Sequence, residues 1–511
     1  MLLHESTSES QDMTCILDLR IAVIAVIAGA ALTGCAVGPD FRTPEAPNAT
    51  AYTATAMPPE TAASPGPGGA AQRLVPGQEI PPQWWELLHS AALDQVIRQA
   101  LANNPTLAAA QAALRQSRES LGAAYGSSLF PKVDANVSGS HQKITGAAFG
   151  QPETHFDPFT LYNASVSVSY ALDLFGGARR ELEALQSQVD FQRFQLEGAY
   201  LALTSNIVTT AVKEASLRAQ IRATLEIAAA QEKQLDLVER QFQLGGVARS
   251  DVLAQRVQLA QTRATLPPLE KELALTRHQL AVLAGRLPAE AADLPEFSLD
   301  GLELPQQLPV SLPSSLVRQR PDIRASEELL HAASAQVGVA TANLYPQLTL
   351  SASFGSETGK PSTLFSPGTA VWNFGGGLLQ PLFHGGELSA TRRAAVAAYD
   401  QAAAQYRATV LQAFQNVADV LRALEADART LQAQADAETA ARDTLELTQK
   451  QFQLGAVSYL SLLNAERQYQ QTRISLVQAQ AVRFADTTAL FQALGGGWWN
   501  RTQQDATAAK K

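Results

Sequence analysis

At 511 residues the chain is long enough for about three ordinary domains, and a net charge of −9, from 39 basic against 48 acidic residues, excludes the basic surface that a nucleic-acid partner requires. The seven histidines are scattered with no pair at ligand spacing, so no metal site is expected. A Gly-x-Ser-x-Gly elbow, a His-Glu-x-x-His pair and a phosphate loop are absent, which leaves an enzyme without a catalytic constellation.

The first element, Ile21 to Leu32, is an apolar run of twelve residues, too short to span a bilayer and suited to a signal-peptide core. Leu32-Thr33-Gly34-Cys35 follows it and resembles the bacterial lipobox, in which a signal peptidase cuts before a cysteine already carrying diacylglycerol. Cleavage is therefore expected between Gly34 and Cys35, making residues 1–34 a lipoprotein signal peptide, with Met13 an alternative start. The other cysteine, Cys15, falls in the removed part, so no disulfide is available. No cofactor is expected beyond covalent diacylglycerol and N-acyl lipid on Cys35. Ala36 stands where an inner-membrane retention signal would place Asp, which favours the outer membrane.

From 35 to 82 the chain turns to Pro, Ala, Thr and Gly and is expected to be an extended tether. Folded structure begins at Trp84-Trp85, followed by a helix with Leu93, Val96, Ile97, Ala100 and Leu101 on one face and a restart at Asn104-Pro105. A β-hairpin is expected over about 131–174. Its second strand alternates Ala164, Val166, Val168, Tyr170 and Leu172 with polar residues. Coiled-coil helices fill about 176–287, with a predicted seam of Ile221, Leu225, Ala228, Leu235, Val238 and Phe242, and a polar gap at Glu232. An unbroken helix from Gly176 to Phe242 would rise about 100 Å at about 1.5 Å per residue. Beyond a tight turn, Val252, Leu259, Leu266, Leu273, Leu280 and Leu287 recur every seven residues, a period that implies left-handed coiling. Pro267-Pro268 must disturb that helix. Residues 288–312 form a Pro-rich linker.

The plan then repeats. Gln241-Phe242-Gln243-Leu244-Gly245 returns as Gln451-Phe452-Gln453-Leu454-Gly455, an offset of 210, and Gln261-Thr262-Arg263 returns at the same offset as Gln471-Thr472-Arg473. The chain is a tandem duplication. The first repeat covers 83–287 and the second 313–494, with a hairpin about 347–383, helices about 385–494 and a tail at 495–511. Strands that alternate apolar and polar suit a barrel wall of about 9–11 residues per strand. Because no mature segment is apolar enough for a spanning helix, a barrel is the crossing available, and four strands need further copies to close one.

Leu312-Pro313-Ser314-Ser315-Leu316-Val317-Arg318-Gln319-Arg320-Pro321-Asp322-Ile323-Arg324-Ala325-Ser326-Glu327 carries a specific signature. Together with Gly34-Cys35-Ala36-Val37-Gly38-Pro39-Asp40-Phe41, the Trp84-Trp85 pair and Gly455-Ala456-Val457-Ser458-Tyr459-Leu460-Ser461, it resembles the TolC-like outer membrane efflux factors, in the NodT/OprM-type lipoprotein branch of RND efflux systems. The resemblance spans essentially Cys35 to Trp498. It implies a mainly α fold with membrane β: a homotrimer whose 12-stranded outer-membrane β-barrel continues as a periplasmic α-helical barrel.

Its implied role is a passive exit duct for drugs and other small toxic solutes, lodged in outer membrane lipid. The implied partners are a periplasmic adaptor (membrane fusion) protein and a proton-driven inner-membrane RND-type pump. The turn residues Leu244, Gly245, Gly246, Leu454 and Gly455 are the implied adaptor contacts, and Asp251, Ser458, Tyr459, Leu460 and Asn464 the aperture candidates. Ser458 and Asn464 are neutral where such proteins commonly carry Asp, whereas Asp251 keeps the acidic position. From the residues alone, Asp251 also suits the N-cap of the descending helix, with Ser250 competing, and Tyr459 suits packing against a neighbouring helix as well as it suits a pore lining. A type I protein-secretion duct and a non-channel coiled-coil lipoprotein remain open as alternatives.

Overall fold

The computed structural model describes residues 36–145, 147, 150, 153 and 155–501. The signal segment 1–34, with the cleavage and lipidation positions Gly34 and Cys35, lies outside the described residues. The chain divides into two compact units, each assembled from both repeats. Unit 1 takes the described residues up to Thr43 with Arg115–Phe191 and Glu327–Gln405, and unit 2 takes Pro44–Leu114, Gln192–Ser326 and the described residues from Tyr406 onward. In chain order the elements are β1 (Arg73–Pro76), α1 (Ala91–Asn103), α2 (Pro105–Leu129), β2 (Lys132–Gln142), β3 (Phe159–Leu172), α3 (Gly177–Gln243), α4 (Arg249–Ala264) and α5 (Leu266–Leu283). There follow β4 (Gln307–Val310), α6 (Pro313–Gln319), α7 (Pro321–Ala342), β5 (Gln347–Thr358), β6 (Ala370–Leu379), α8 (Glu387–Gln453) and α9 (Tyr459–Ala493).

Unit 1 holds a four-stranded antiparallel sheet in the order β2-β3-β5-β6, so the two hairpins of the duplication join through β3 and β5. The register brings the alternating apolar residues into rows across the strands. Val133, Val168, Ala352 and Phe374 are one row, and Ala135, Val166, Phe354 and Trp372 the next. The intervening rows are polar, as in Asp134, Ser167, Ser353 and Asn373. A strand's side-chain period of two makes the first set one face and the second set the other. Phe354, Trp372, Phe374 and Leu378 stand exposed, and β2 and β6 each leave one edge unpaired among the described residues.

The stretch expected to be a free tether is extended but docked, because its backbone and side chains find partners. In unit 1, Val37 N–H donates to Phe175 O at 3.0 Å. Gly38 abuts Gly338 so closely that a β-carbon on Gly38 would lie 2.4 Å from the Gly338 Cα. Arg180, with its side chain almost fully buried, donates to Asp40 at 2.5 Å and to Glu183 at 2.7 Å. Phe41 stacks on His331 with ring centroids 4.2 Å apart, and His331 Nε2 lies 2.9 Å from Glu183 Oε1. The Gly-Pro-Asp-Phe motif is thus a clasp on α3 and α7.

In unit 2 the tether and the Pro-rich linker pair with one another, Arg73–Pro76 against Gln307–Val310 in parallel. Tyr52 donates to Ser311 O at 2.9 Å, and the buried Gln72 donates to Pro305 O at 3.0 Å. The two segments satisfy each other's backbone, and the linker also buries Leu294, Phe297, Leu299, Leu302, Leu304 and Leu308. The Asn104-Pro105 restart has a direct cause. Asn104 Oδ1 accepts from Thr106 N–H at 2.9 Å, while Pro105 opens α2 where no backbone donor is needed. In the Arg-Pro-Asp stretch, Arg320 donates to Ala493 O at 2.8 Å and to Asp322 at 2.7 Å, tying the start of α7 to the end of α9.

The long helix α3 is unbroken over 67 residues, as is α8. The seam of α3 differs from the predicted one. Ala223, Ile227, Ala228, Gln231 and Val238 are buried, whereas Leu225 and Phe242 are exposed. An apolar line left uncovered beside a covered one is what a helix with neighbours on two sides requires. At Pro267-Pro268 the first descending helix stops and restarts: α4 ends at Ala264, Thr265 N–H turns back to Thr262 O at 3.1 Å, and both prolines sit in the first turn of α5. Its counterpart α9 is continuous.

On the membrane barrel and oligomer that the resemblance implies, which put the apolar face of the sheet against lipid, Phe354→Arg is expected to cost about 2–4 kcal/mol and to reduce heat-stable oligomer on semi-native gels, while Ser353→Arg on the polar face leaves it intact. Hydrogen bonds that the ring donates to the Glu328 and Glu183 carboxylates raise the His331 pKa above its ordinary 6.5 against opposing burial. Clasp stability from imidazolium is therefore complete below 6.5 and disappears as pH rises through the elevated native value. Limited proteolysis of the segment around Asp40 is expected to be faster at pH 9 than at pH 6, with the difference abolished in His331→Gln.

Candidate functional site

The two helical turns preserve the duplication at the level of individual hydrogen bonds. In the first, Gly246 N–H donates to Gln241 O at 2.8 Å and Gly245 N–H to Phe242 O at 3.0 Å. In the second, Ala456 N–H donates to Gln451 O at 2.9 Å and Gly455 N–H to Phe452 O at 2.9 Å. Each is a Schellman cap, which requires a left-handed residue just past the helix. Gly245 at φ +77° and Gly455 at φ +71° supply it. Gly246 has no such demand, and the second copy places Ala456 there. Leu244 and Leu454 project into solvent at 87% and 84% exposure.

Behind the turns, Val238, Val252, Tyr459, Leu462 and Leu463 form a buried cluster, with Leu235, Val247, Leu445 and Phe452 packed against it. Phe452 meets Tyr459 edge-on at 5.7 Å. Tyr459 is therefore packed against neighbouring helices, one of the two places open to it from sequence. Leu460, Ser458 and Asn464 are exposed. Ser458 is the N-cap of α9, its hydroxyl accepting from Ser461 N–H at 3.3 Å. Asp251 is not the N-cap of α4. The helix begins two residues earlier, and Asp251 accepts from the N–H of the N-cap Ala248 at 3.2 Å. Since alanine has no side-chain acceptor, only this half of a capping box exists. A carboxylate in the first turn also complements the helix dipole.

A polar seam between α4 of the first repeat and α9 of the second lies beneath the cluster. Gln255, wholly buried, accepts from the Tyr459 hydroxyl and donates to Gln231 O at 3.2 Å. Arg467 donates to Gln258 Oε1 at 2.7 Å, and Gln258 and Thr262 both donate to Gln470 Oε1 at 3.3 Å. Burial pushes the Glu466 carboxyl up to about 7, against a hydrogen bond from Gln255, and burial likewise raises the Tyr459 phenol. Apart from Tyr459, none of these was singled out from the sequence as a site residue. The signal was there: Val252, Gln255, Leu259 and Thr262 are spaced three and four apart, so polar residues alternate with apolar ones on a single buried stripe.

The turns therefore present a rigid apolar knob on each repeat, braced by a buried polar seam. No group of His, Cys, Asp or Glu able to hold a metal is found among the described residues.

The family model described as "Outer membrane efflux protein" matches residues 96–286 and 312–496, two stretches that fall on the two repeats. The chain is 31% identical over 489 residues, 95% of its length and 96% of the relative's, to the "Probable efflux pump outer membrane protein TtgC" of Pseudomonas putida. It is 32% identical over 457 residues, covering 87% of this chain and 94% of the other, to the "Pyoverdine export outer membrane protein OpmQ" of Pseudomonas putida. Among solved structures, the outer-membrane channel OprN superposes with a TM-score of 0.81 at 28% identity, over 91% of this chain and 100% of that one.

Gly245→Ala and Gly455→Ala are each expected to lower stability by about 1–2 kcal/mol, read as a fall in the chemical-denaturation midpoint. Gly246→Ala should leave it unchanged.

Proposed function

The chain belongs to the outer membrane efflux protein family, and on that premise we propose that it acts as a lipid-anchored homotrimer exporting drugs and other small toxic solutes. It is the outer membrane channel component of a tripartite efflux pump, a passive duct and not an enzyme. Energy must then come from an inner-membrane RND-type pump, reached through a periplasmic adaptor protein.

The observation that carries the trimer is the sheet. Four strands with one apolar face and two unpaired edges cannot stand alone in lipid, where every backbone donor and acceptor needs a partner. Three copies give twelve strands, enough for closure. Exposed apolar residues along α8, such as Leu411 and Leu447, supply helix surfaces for neighbouring copies. Lipid on Cys35 would add an anchor beside the clasp formed by Val37 to Phe41. Leu244 and Leu454 at the turns fit an adaptor contact, because a partner gains most from burying exposed apolar side chains. The choice of small solutes as cargo draws on relatives named for the export of pyoverdine and for efflux pumps.

Deleting the gene is expected to increase retention of a fluorescent dye in energised cells, with return on complementation. Unchanged retention across a panel of dyes and antibiotics would overturn the reading. At the aperture, the exposed neutral Asn464 leaves the tips loosely linked. Asn464→Asp is expected to lower leak conductance in a planar bilayer, and an unchanged conductance would place Asn464 outside the constriction.

A further inference from the structure

Where the N-terminal segment crosses α8 and α9 in unit 2, its hold rests on a buried cation. Arg483 of α9 is 1% exposed. It donates to Leu424 O of α8 at 3.0 Å and to the Thr61 hydroxyl of the segment at 3.2 Å, both neutral acceptors, while its Nε has no partner among the described residues. One turn further along α9, Thr487 accepts from Gln72 Nε2 at 3.0 Å, and Gln72 N–H donates to the Thr61 hydroxyl at 2.9 Å. Between Thr61 and Gln72 the segment turns tightly, with Ser64 N–H donating to Gly69 O at 2.8 Å. A β-carbon on Gly68 would lie 2.9 Å from Gln480 O. The segment is thus gripped by a single stretch of α9.

Asp486 lies inside that stretch, three residues from Arg483 and so within reach of it on the helix surface. The free Nε of Arg483 nonetheless does not meet it. Asp486 Oδ2 is buried with no donor among the described residues, and the group within bonding reach is a second carboxyl, Asp427 of α8. Two ionised carboxylates have no hydrogen to place between them, so this contact requires a shared proton. Burial, and after it the Asp427 carboxyl, push the Asp486 pKa up to about 8 against the opposing charge of Arg483.

We propose that the Asp427–Asp486 pair is a proton-operated latch on the segment from Thr61 to Gln72. With the proton in place, Asp486 bonds Asp427 and leaves Arg483 to hold Thr61. When the proton passes to water, the ionised Asp486 draws the free Nε of Arg483 to itself and the segment loosens. The charges acting on Asp486 are Asp427 and Arg483. Elsewhere on α8, Arg422 is bonded to Glu425 and to Thr55 O, each at 2.8 Å, and Arg429 lies 3.7 Å from Glu425. On the segment, Glu60 and Arg73 flank the grip and are exposed. Because the native pKa stands above the ordinary carboxylate value of 3.8, docking is strongest below that value, weakens as pH rises, and reaches its floor once pH passes the native value.

The test is hydrogen–deuterium exchange of the detergent-solubilised full chain, followed in peptides covering residues 61–72 and corrected for the intrinsic pH dependence of exchange. Opening of this segment is expected to rise by up to about tenfold per pH unit from pH 5 to pH 8 and to level off beyond. Asp486→Asn keeps the shape and a neutral group, and should hold the segment closed across the whole range. Asp427→Asn removes the like charge and supplies a donor to the ionised Asp486, so levelling should come at lower pH, a shift that a merely structural role does not produce. Unchanged exchange along α8 and α9 confirms the fold of each variant, and residues 37–41, which report the separate clasp at His331, are read apart. Exchange of 61–72 that ignores pH, a profile unaltered in Asp486→Asn, or a levelling point unmoved in Asp427→Asn would each overturn the proposal.

Discussion

The antiparallel pairing of β3 with β5 is the interaction on which the rest of the molecule depends. It runs from Tyr162 opposite Thr358 to Leu172 opposite Leu348, and it is where the hairpin of one repeat becomes continuous with the hairpin of the other. A slip of one residue would send every side chain of the second hairpin to the opposite face. Phe354 would leave the row of Val166, and the apolar surface would become a mixture. The same pairing fixes the outward edges, β2 and β6, as the two that remain unsatisfied within one chain.

Unit 2 joins the repeats by different means. There the contact is made by side chains, through Gln255 and Gln258 of α4 meeting Tyr459, Arg467 and Gln470 of α9. Apolar contact alone permits two helices to slide or rotate against each other at small cost. Directional bonds between buried amides allow few registers, because a misplaced partner leaves a polar atom unsatisfied. The Schellman turns lie directly beyond this seam, so Leu244 and Leu454 are held by the most specified part of the helical unit. The two repeats nonetheless differ. Prolines divide the first descending helix into α4 and α5, while α9 runs without a break.

Much of this was legible before the structure. Alternation in β2, β3 and β5 marked the strands, the offset of 210 marked the duplication, and the two Leu-Gly pairs marked the turns, since each is a local signal set by backbone geometry. The signature around Arg320 marked the family. What escaped depended on contacts distant in sequence. The seam of α3 passes through Gln231 where hydropathy favoured Leu235 and Leu225, because a buried glutamine is visible only once the bonding of Gln255 is known. Asp251, suited by residue type to an N-cap, sits at the third helical position instead, because a cap depends on where a helix starts and Ala248 carries no signal for it. The docked tether was missed for the same reason. Its partners Arg180, His331 and Ser311 lie more than a hundred residues downstream.

The clasp around Arg180 gives the segment a mechanical character. Asp40 and Val37 are held by the same guanidinium, itself fixed to Glu183, and the Gly38–Gly338 approach leaves no slack for the backbone. Attachments of this kind distinguish a rivet from a leash. A leash of forty flexible residues lets an anchored body drift and tilt, and it dissipates any pull applied to its end. A chain seized within six residues of Cys35 instead delivers load directly into α3 and α7, so an acyl group there would resist tilting of the strands that α3 continues.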